Sequence, residues 1–145
     1  MVSISRSQLH KVLFNECSGT GQVNVSNCFR WFEWERFRIA EDSDVLRVLS
    51  RAQDVIFPVT FSECRFYHPI RLNASIRIET TMLIDAGTRL TFRHSIMDAD
   101  SGVCLAEGKT QTAVVSAQSG KMILNFYRES DENSALNAPD EVKNP

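Results

Sequence analysis

No stretch of this sequence stays apolar for the roughly 20 residues that a membrane-spanning helix requires, and residues 1–14 hold no apolar run of signal-peptide length. A soluble, cytoplasmic protein with no membrane partner is expected. Cysteine is sparse: Cys17, Cys28, Cys64 and Cys104 show no CxxC or other metal-ligand spacing, which argues against a metal centre and a disulfide framework and favours reduced thiols. Charge of one sign is also missing. The 16 basic residues face 18 acidic ones, a formal net charge of −2, so the chain lacks the basic excess of a general nucleic-acid binder. No internal repeat is visible, which removes solenoid and propeller architectures.

What is present is an ordinary globular composition, 43% hydrophobic and 23% charged, in a chain long enough to bury one core without staples. Residues 1–128 are expected to form a single domain and 129–145 a disordered acidic tail, since that tail is polar and nearly free of large apolar groups. Five acids against Lys143 give the tail a charge of −4 and leave +2 for the rest. A mildly basic body can receive an anionic substrate but does not demand one.

Periodicity divides the domain. A short strand over 10–15 is expected before the loop CSGTGQ, where Gly19 and Gly21 allow backbone conformations that other residues avoid. From Ser26 the run SNCFRWFEWERFRIAED holds no Gly or Pro and opens on two good capping residues, Ser26 and Asn27, which predicts one long helix. Its aromatics, Phe29, Trp31, Phe32, Trp34 and Phe37, spread over more than one face, so the helix is expected to be wrapped by other structure. A second short helix is expected over 44–52. Beyond it, alternation takes over in Ile76, Ile78, Thr80, Met82, Ile84 and again in Leu90, Phe92, His94, Ile96, with further strands over 61–68, 103–116 and 121–127. Pro69 is expected to break or bend the strand before it. One strand, a long helix, then four or five antiparallel strands make an α+β domain in which a curved sheet covers an apolar helix.

These residues alone name no reaction. The segment SGTGQVNVSNCFRWFEWERF, however, resembles the loop and helix start of the 4-hydroxybenzoyl-CoA thioesterase-like hot-dog family, with Gly21, Val23, Asn27, Phe32 and Arg36 at the family's Gly, Val, Asn, aromatic and Arg positions. Tyr67-His-Pro69-Ile-Arg71 resembles the family's Y-x-x-P-x-R strand and Ala106-Glu-Gly108-Lys-Thr110 its A-E-G-x-T strand, so the likeness covers about residues 10–125. The resemblance implies a hot-dog fold, a homodimer or homotetramer, no cofactor and no metal. It also implies hydrolysis of an acyl thioester carried by coenzyme A or an acyl carrier protein, with the acyl group in a tunnel at the subunit interface. Two departures stand out. The family's catalytic Asp is Ser18 here, and its helix-start Tyr is Cys28. The related thioesterases of enediyne polyketide pathways also lack the acid, having Asn there, and use an Arg that corresponds to Arg36; by that logic a polyketide-type substrate is implied.

Thioester hydrolysis needs a stabilised oxyanion and an aimed water. Backbone N–H groups at the helix start, near Val25, Ser26 and Asn27, can serve the oxyanion; Ser26 and Asn27 can equally be plain caps. Arg36, two and a half turns on, either assists catalysis by reaching back or pairs with Glu33 or Glu35. Glu35 and Glu33 are candidate bases or ordinary solvated or paired carboxylates. Ser18 either positions water or only closes the loop. Cys28, Phe32 and Tyr67 are candidate substrate contacts, with Phe29 and Trp31 as lining or core. Cys28 is a weak candidate nucleophile; His68, His10 and His94 are more simply strand residues. Two other functions compete: a non-catalytic hot-dog protein that binds an acyl chain or carrier, and a dehydratase, which lacks its usual His at the loop or helix start.

Overall fold

The alternating segments pair into one sheet. The computed structural model describes residues 2–43, 54–85 and 89–123. Five antiparallel strands lie in the order β1-β4-β5-β6-β3, with β1 Val2–Lys11, β3 Val59–Phe66, β4 Ser75–Asp85, β5 Arg89–Asp98 and β6 Cys104–Ala113. A two-stranded ribbon pairs β2, Val55–Ile56, with β7, Val115–Ser116. The long helix α1, Val25–Asp42, packs on the inner face against β4 and β1. A helix held against a curved antiparallel sheet is the hot-dog arrangement.

Register explains which side chains meet. Ile78 faces Gln8 on one side and Ile96 on the other, and Thr80 lies opposite both Arg6 and His94. Inward residues of β4 and β5 are therefore Ile76, Ile78, Thr80, Met82, Ile84 and Leu90, Phe92, His94, Ile96, all buried. The helix contributes Cys28, Trp31, Phe32, Glu35 and Ile39. Burying each large apolar side chain contributes about 1.5–3 kcal/mol. The core falls into two clusters: one around Cys28, Trp31, Phe32, Ile78 and Ile96, the other around Ile39, Met82, Leu90 and Phe92. Between them runs a polar seam, Glu35, Thr80, His94 and Thr110, all buried.

Several expectations are corrected. The first strand spans Val2–Lys11 rather than 10–15, and Phe14–Glu16 form a turn of 3-10 helix. As an edge strand whose outward positions carry Ser3, Ser5 and Ser7, β1 shows little apolar alternation for a sequence reading to catch. The helix begins at Val25 with Asn24 at its N-cap, so Ser26 and Asn27 are first-turn residues and not caps. The helix is not wrapped all round, because a five-stranded sheet covers one side: Trp34 and Phe37 remain exposed on the other. The stretch expected as one strand over 103–116 divides at buried Val114 into β6 and β7. Strand β3 stops at Phe66, ahead of Pro69. The second helix over 44–52 and the tail over 129–145 lie outside the described residues, as does most of the strand expected over 121–127. Among the described residues no helix is long and apolar enough to cross a membrane.

Candidate active site

The loop before α1 is fixed by a residue that motif reading passed over. Glu16 is buried, and its Oε1 accepts from the Leu13 N–H at 2.8 Å and pairs with His10 Nε2 at 2.8 Å, while Oε2 accepts from Trp31 Nε1 at 2.6 Å. Burial pushes the Glu16 carboxyl up, but the Leu13 N–H, His10 and Trp31 together outweigh it and hold it below the ordinary value. The Glu16 carbonyl also accepts from the Asn24 N–H at 2.9 Å and from the Asn27 side-chain amide at 2.8 Å. Asn27 thus ties the helix start to the turn below it. The loop then closes through Ser18, whose N–H donates to Gln22 O and whose carbonyl accepts from the Gly21 N–H. Gly21 takes a φ of 76°, the left-handed region that favours glycine.

Val23 and Leu72 stitch this loop to the segment after β3, through the bonds Val23 N–H to Ile70 O and Leu72 N–H to Gly21 O. The result is a cavity of about 320 Å³ at the helix start, bounded by Val23, Val25 and Cys28 on one side and by Phe66, Tyr67 and His68 on the other. Helix geometry leaves the first N–H groups without intrahelical acceptors and places positive dipole charge there. The Asn27 N–H is already bonded to Asn24 O, so Val25 and Ser26 supply the donors that can meet an oxyanion. A second cavity of about 330 Å³ lies further along α1 against β3, bounded by Ser26, Phe29, Arg30, Glu33 and Arg36 from the helix and by Val59 and Ser62.

Arg36 is half-buried, and its Nη1 donates to Thr110 Oγ1 at 3.5 Å, a long bond. Burial lowers its pKa, and Glu33 opposes that shift from a distance. Among the described residues Arg36 has no ion pair, so the expected pairing with Glu33 or Glu35 is not formed. Glu35 is buried with Oε2 on Arg6 Nε at 3.1 Å and Oε1 on Arg38 Nη1 at 3.0 Å, and it bounds neither cavity. Both its oxygens are occupied, so the geometry favours a structural anchor between β1 and α1 over a base. The same Arg6 also bonds Asp42.

The remaining candidates separate cleanly. Ser18 is exposed, hydrogen-bonded to Thr20 Oγ1 at 2.9 Å and outside both cavities, a loop-closing role. Cys28 bounds the first cavity, but burial first, and Cys64 second, push its thiol up to about 12, which disfavours the thiolate a nucleophile needs. Phe32 is fully buried and stacked on His94, with ring centroids 4.1 Å apart, so it is core and not cavity wall. Tyr67 bounds the first cavity with its hydroxyl donating to Glu107 Oε2 at 2.9 Å. Along α1, nine residues at about 1.5 Å each put Arg36 about 14 Å from Asn27. Within one chain Arg36 shares the second cavity with Ser26 but does not bound the first.

The profile of the thioesterase-like superfamily matches residues 12–144. The chain belongs to the thioesterase-like superfamily. Solved structures of thioesterases share its fold. The probable thioesterase YbaW of Escherichia coli superposes with a TM-score of 0.76 at 18% identity, covering 94% of this chain and 98% of that one. The dynemicin thioesterase gives 0.73 at 16% identity, covering 92% and 95%. The 1,4-dihydroxy-2-naphthoyl-CoA thioesterase of Synechocystis gives 0.71 at 15% identity, covering 94% and 98%. No curated protein matches in sequence. Membership of this thioesterase-like superfamily gives the helix-start cavity its chemical context, and the departures at Ser18 and Cys28 set this member's own problem.

Proposed function

We propose that the protein hydrolyses an acyl thioester, with the oxyanion received by the Val25 and Ser26 N–H groups and Arg36 supplying positive charge. One observation carries this reading: a guanidinium that forms no ion pair among the described residues stands beside a cavity, on the same helix whose start opens into another. In water-poor surroundings such donors and charge are worth far more to a transition state than in bulk solvent. Neutral Thr110 orients Arg36 without cancelling it. With Ser18 at the family's acid position, water activation falls to solvent-exposed groups at the cavities, among which Glu33 and His68 are the carboxylate and the imidazole.

A homodimer or homotetramer fits the same site. Edge strand β3 exposes Val59, Phe61 and Phe66, next to Tyr67, and both cavities open along its border with α1. A two-fold partner laid on that edge lets the Arg36 of one protomer and the first cavity of the other share a tunnel, whereas within one chain Arg36 bounds only the second cavity. The substrate is proposed to be coenzyme A- or carrier-protein-bound, and a polyketide-type acyl group is favoured by likeness to the dynemicin thioesterase, which binds a polyene. The protein works in the cytoplasm, without a cofactor.

A second reading rests on Ser18: without the acid, the protein binds an acyl chain or its carrier and does not turn it over. Free-thiol release across medium-chain, aromatic and polyene thioesters of coenzyme A and of carrier protein separates the two. Turnover on any of them supports the hydrolase; saturable binding without thiol release supports the binder.

A further inference from the structure

A histidine is an odd occupant of the strand face Leu90-Phe92-His94-Ile96, whose other members are buried hydrocarbon. His94 is equally buried, yet both of its ring nitrogens are engaged: Nδ1 meets Thr80 Oγ1 at 2.9 Å on β4 and Nε2 meets Thr110 Oγ1 at 3.1 Å on β6. Thr110 in turn receives Arg36 and lies 3.4 Å from Ser62 Oγ on β3. The ring plane is set as well, 6° from parallel with Phe32. That stack needs Gly108, directly opposite His94 in the sheet, because a Cβ there would stand 2.4 Å from the Phe32 ring. Arg36 can only donate, so whichever tautomer His94 adopts, one Thr110 lone pair is left for the guanidinium.

We propose that His94 is a positioning residue: by bridging Thr80 and Thr110 across three strands it fixes the hydroxyl that receives Arg36, and so aims the guanidinium into the cavity beside Ser62. Every acceptor in this chain is uncharged, which orients Arg36 while leaving its charge for a substrate oxygen. Burial and the nearby Arg36 push the imidazole down to about 3, so it stays neutral and adds no competing charge. The inference rests on Arg36 serving the reaction proposed above.

His94→Phe keeps the ring and its stack on Phe32 while removing both nitrogens; His94→Gln keeps a donor and an acceptor; Thr80→Val removes the far anchor alone. Each is assayed for thiol release from a turned-over acyl-CoA, alone and with Arg36→Ala. Expected for His94→Phe is a kcat lower by roughly tenfold with KM within about twofold, partial recovery in His94→Gln, and no added loss in the Arg36→Ala background. Thr80→Val should show a smaller loss of the same kind, which tests the relay should His94→Phe not fold. If Arg36→Ala is impaired while His94→Phe and Thr80→Val keep wild-type kcat, or if the losses multiply, His94 does not act through Arg36. If Arg36→Ala is itself unimpaired, the catalytic reading of Arg36 falls, and the relay is judged by NMR order of the Arg36 Nε–H: order lost in His94→Phe supports it, and unchanged order overturns it.

Discussion

Removing the Glu16 carboxylate should loosen the site from below. In Glu16→Ala the Leu13 N–H and the Trp31 Nε1–H, bonded now at 2.8 and 2.6 Å, lose their acceptors, while His10, partly exposed, can turn to water. A buried donor left unsatisfied costs about 1–3 kcal/mol, which applies to the fully buried Trp31, while the Leu13 N–H, on an exposed residue, adds less. Glu16→Gln keeps one oxygen and strands one donor, for about 1–3 kcal/mol. With a urea slope of about 1–3 kcal/mol/M, a loss of 2 kcal/mol lowers the unfolding midpoint by about 1 M. Tryptophan fluorescence suits the assay, since Trp31 is one of only two tryptophans. The sign of the pH dependence follows from the depressed carboxyl: its stabilisation is complete above the ordinary value of 4.5 and is lost as pH falls through the lower folded-state value. The gap between wild type and Glu16→Gln should therefore be full at neutral pH and close in acid. A Glu16→Ala midpoint within about 0.2 M of wild type would refute the anchoring role, as would a gap that widens below pH 4.5.

Three further outcomes are expected. Gly108→Ala drives a Cβ into the Phe32 ring and should cost about 1–3 kcal/mol in chemical denaturation, whereas an unchanged midpoint would mean the ring is free to move. Cys28, with its thiol raised to about 12, should resist iodoacetamide at pH 8 in the folded protein, and Cys28→Ala should keep turnover; rapid labelling, read by mass spectrometry, would contradict this. Glu35→Gln weakens the bridge between Arg6 and Arg38 and should lower stability by about 1–3 kcal/mol while kcat stays within about twofold of wild type; a loss of turnover with stability intact would restore Glu35 as a base.

The fold was legible because its central strands alternate strictly: Ile76 to Ile84 and Leu90 to Ile96 point inward as their spacing says. Edge strand β1 was shortened because Ser3, Ser5 and Ser7 face outward and blunt the apolar signal. The helix start was misplaced by two residues because Ser26 and Asn27 are better capping residues by type than Asn24, which caps without a side-chain bond. At the site, motif order points to the loop and the helix, but pairings across the sheet depend on register that no local pattern shows. Glu35 and Arg36 are neighbours in sequence and still point to different partners, Arg6 and Thr110. Glu16 carries no local signal because its partners, His10 and Trp31, lie on two different elements. His94 carried a visible signal, a polar residue amid an apolar strand face, and its meaning needed Thr80 and Thr110 from the strands on either side.

A helix-start oxyanion site and Arg36, which has no ion pair among the described residues, are proposed to hydrolyse a thioester without the family's usual acid. Thiol release by wild type and Arg36→Ala, on the best substrate of the thioester panel and with folded fractions matched, tests it most directly. Turnover by wild type and a kcat lower by about 100-fold in the variant are expected, the scale of losing one transition-state donor. Wild-type turnover that Arg36→Ala leaves within about threefold would contradict it.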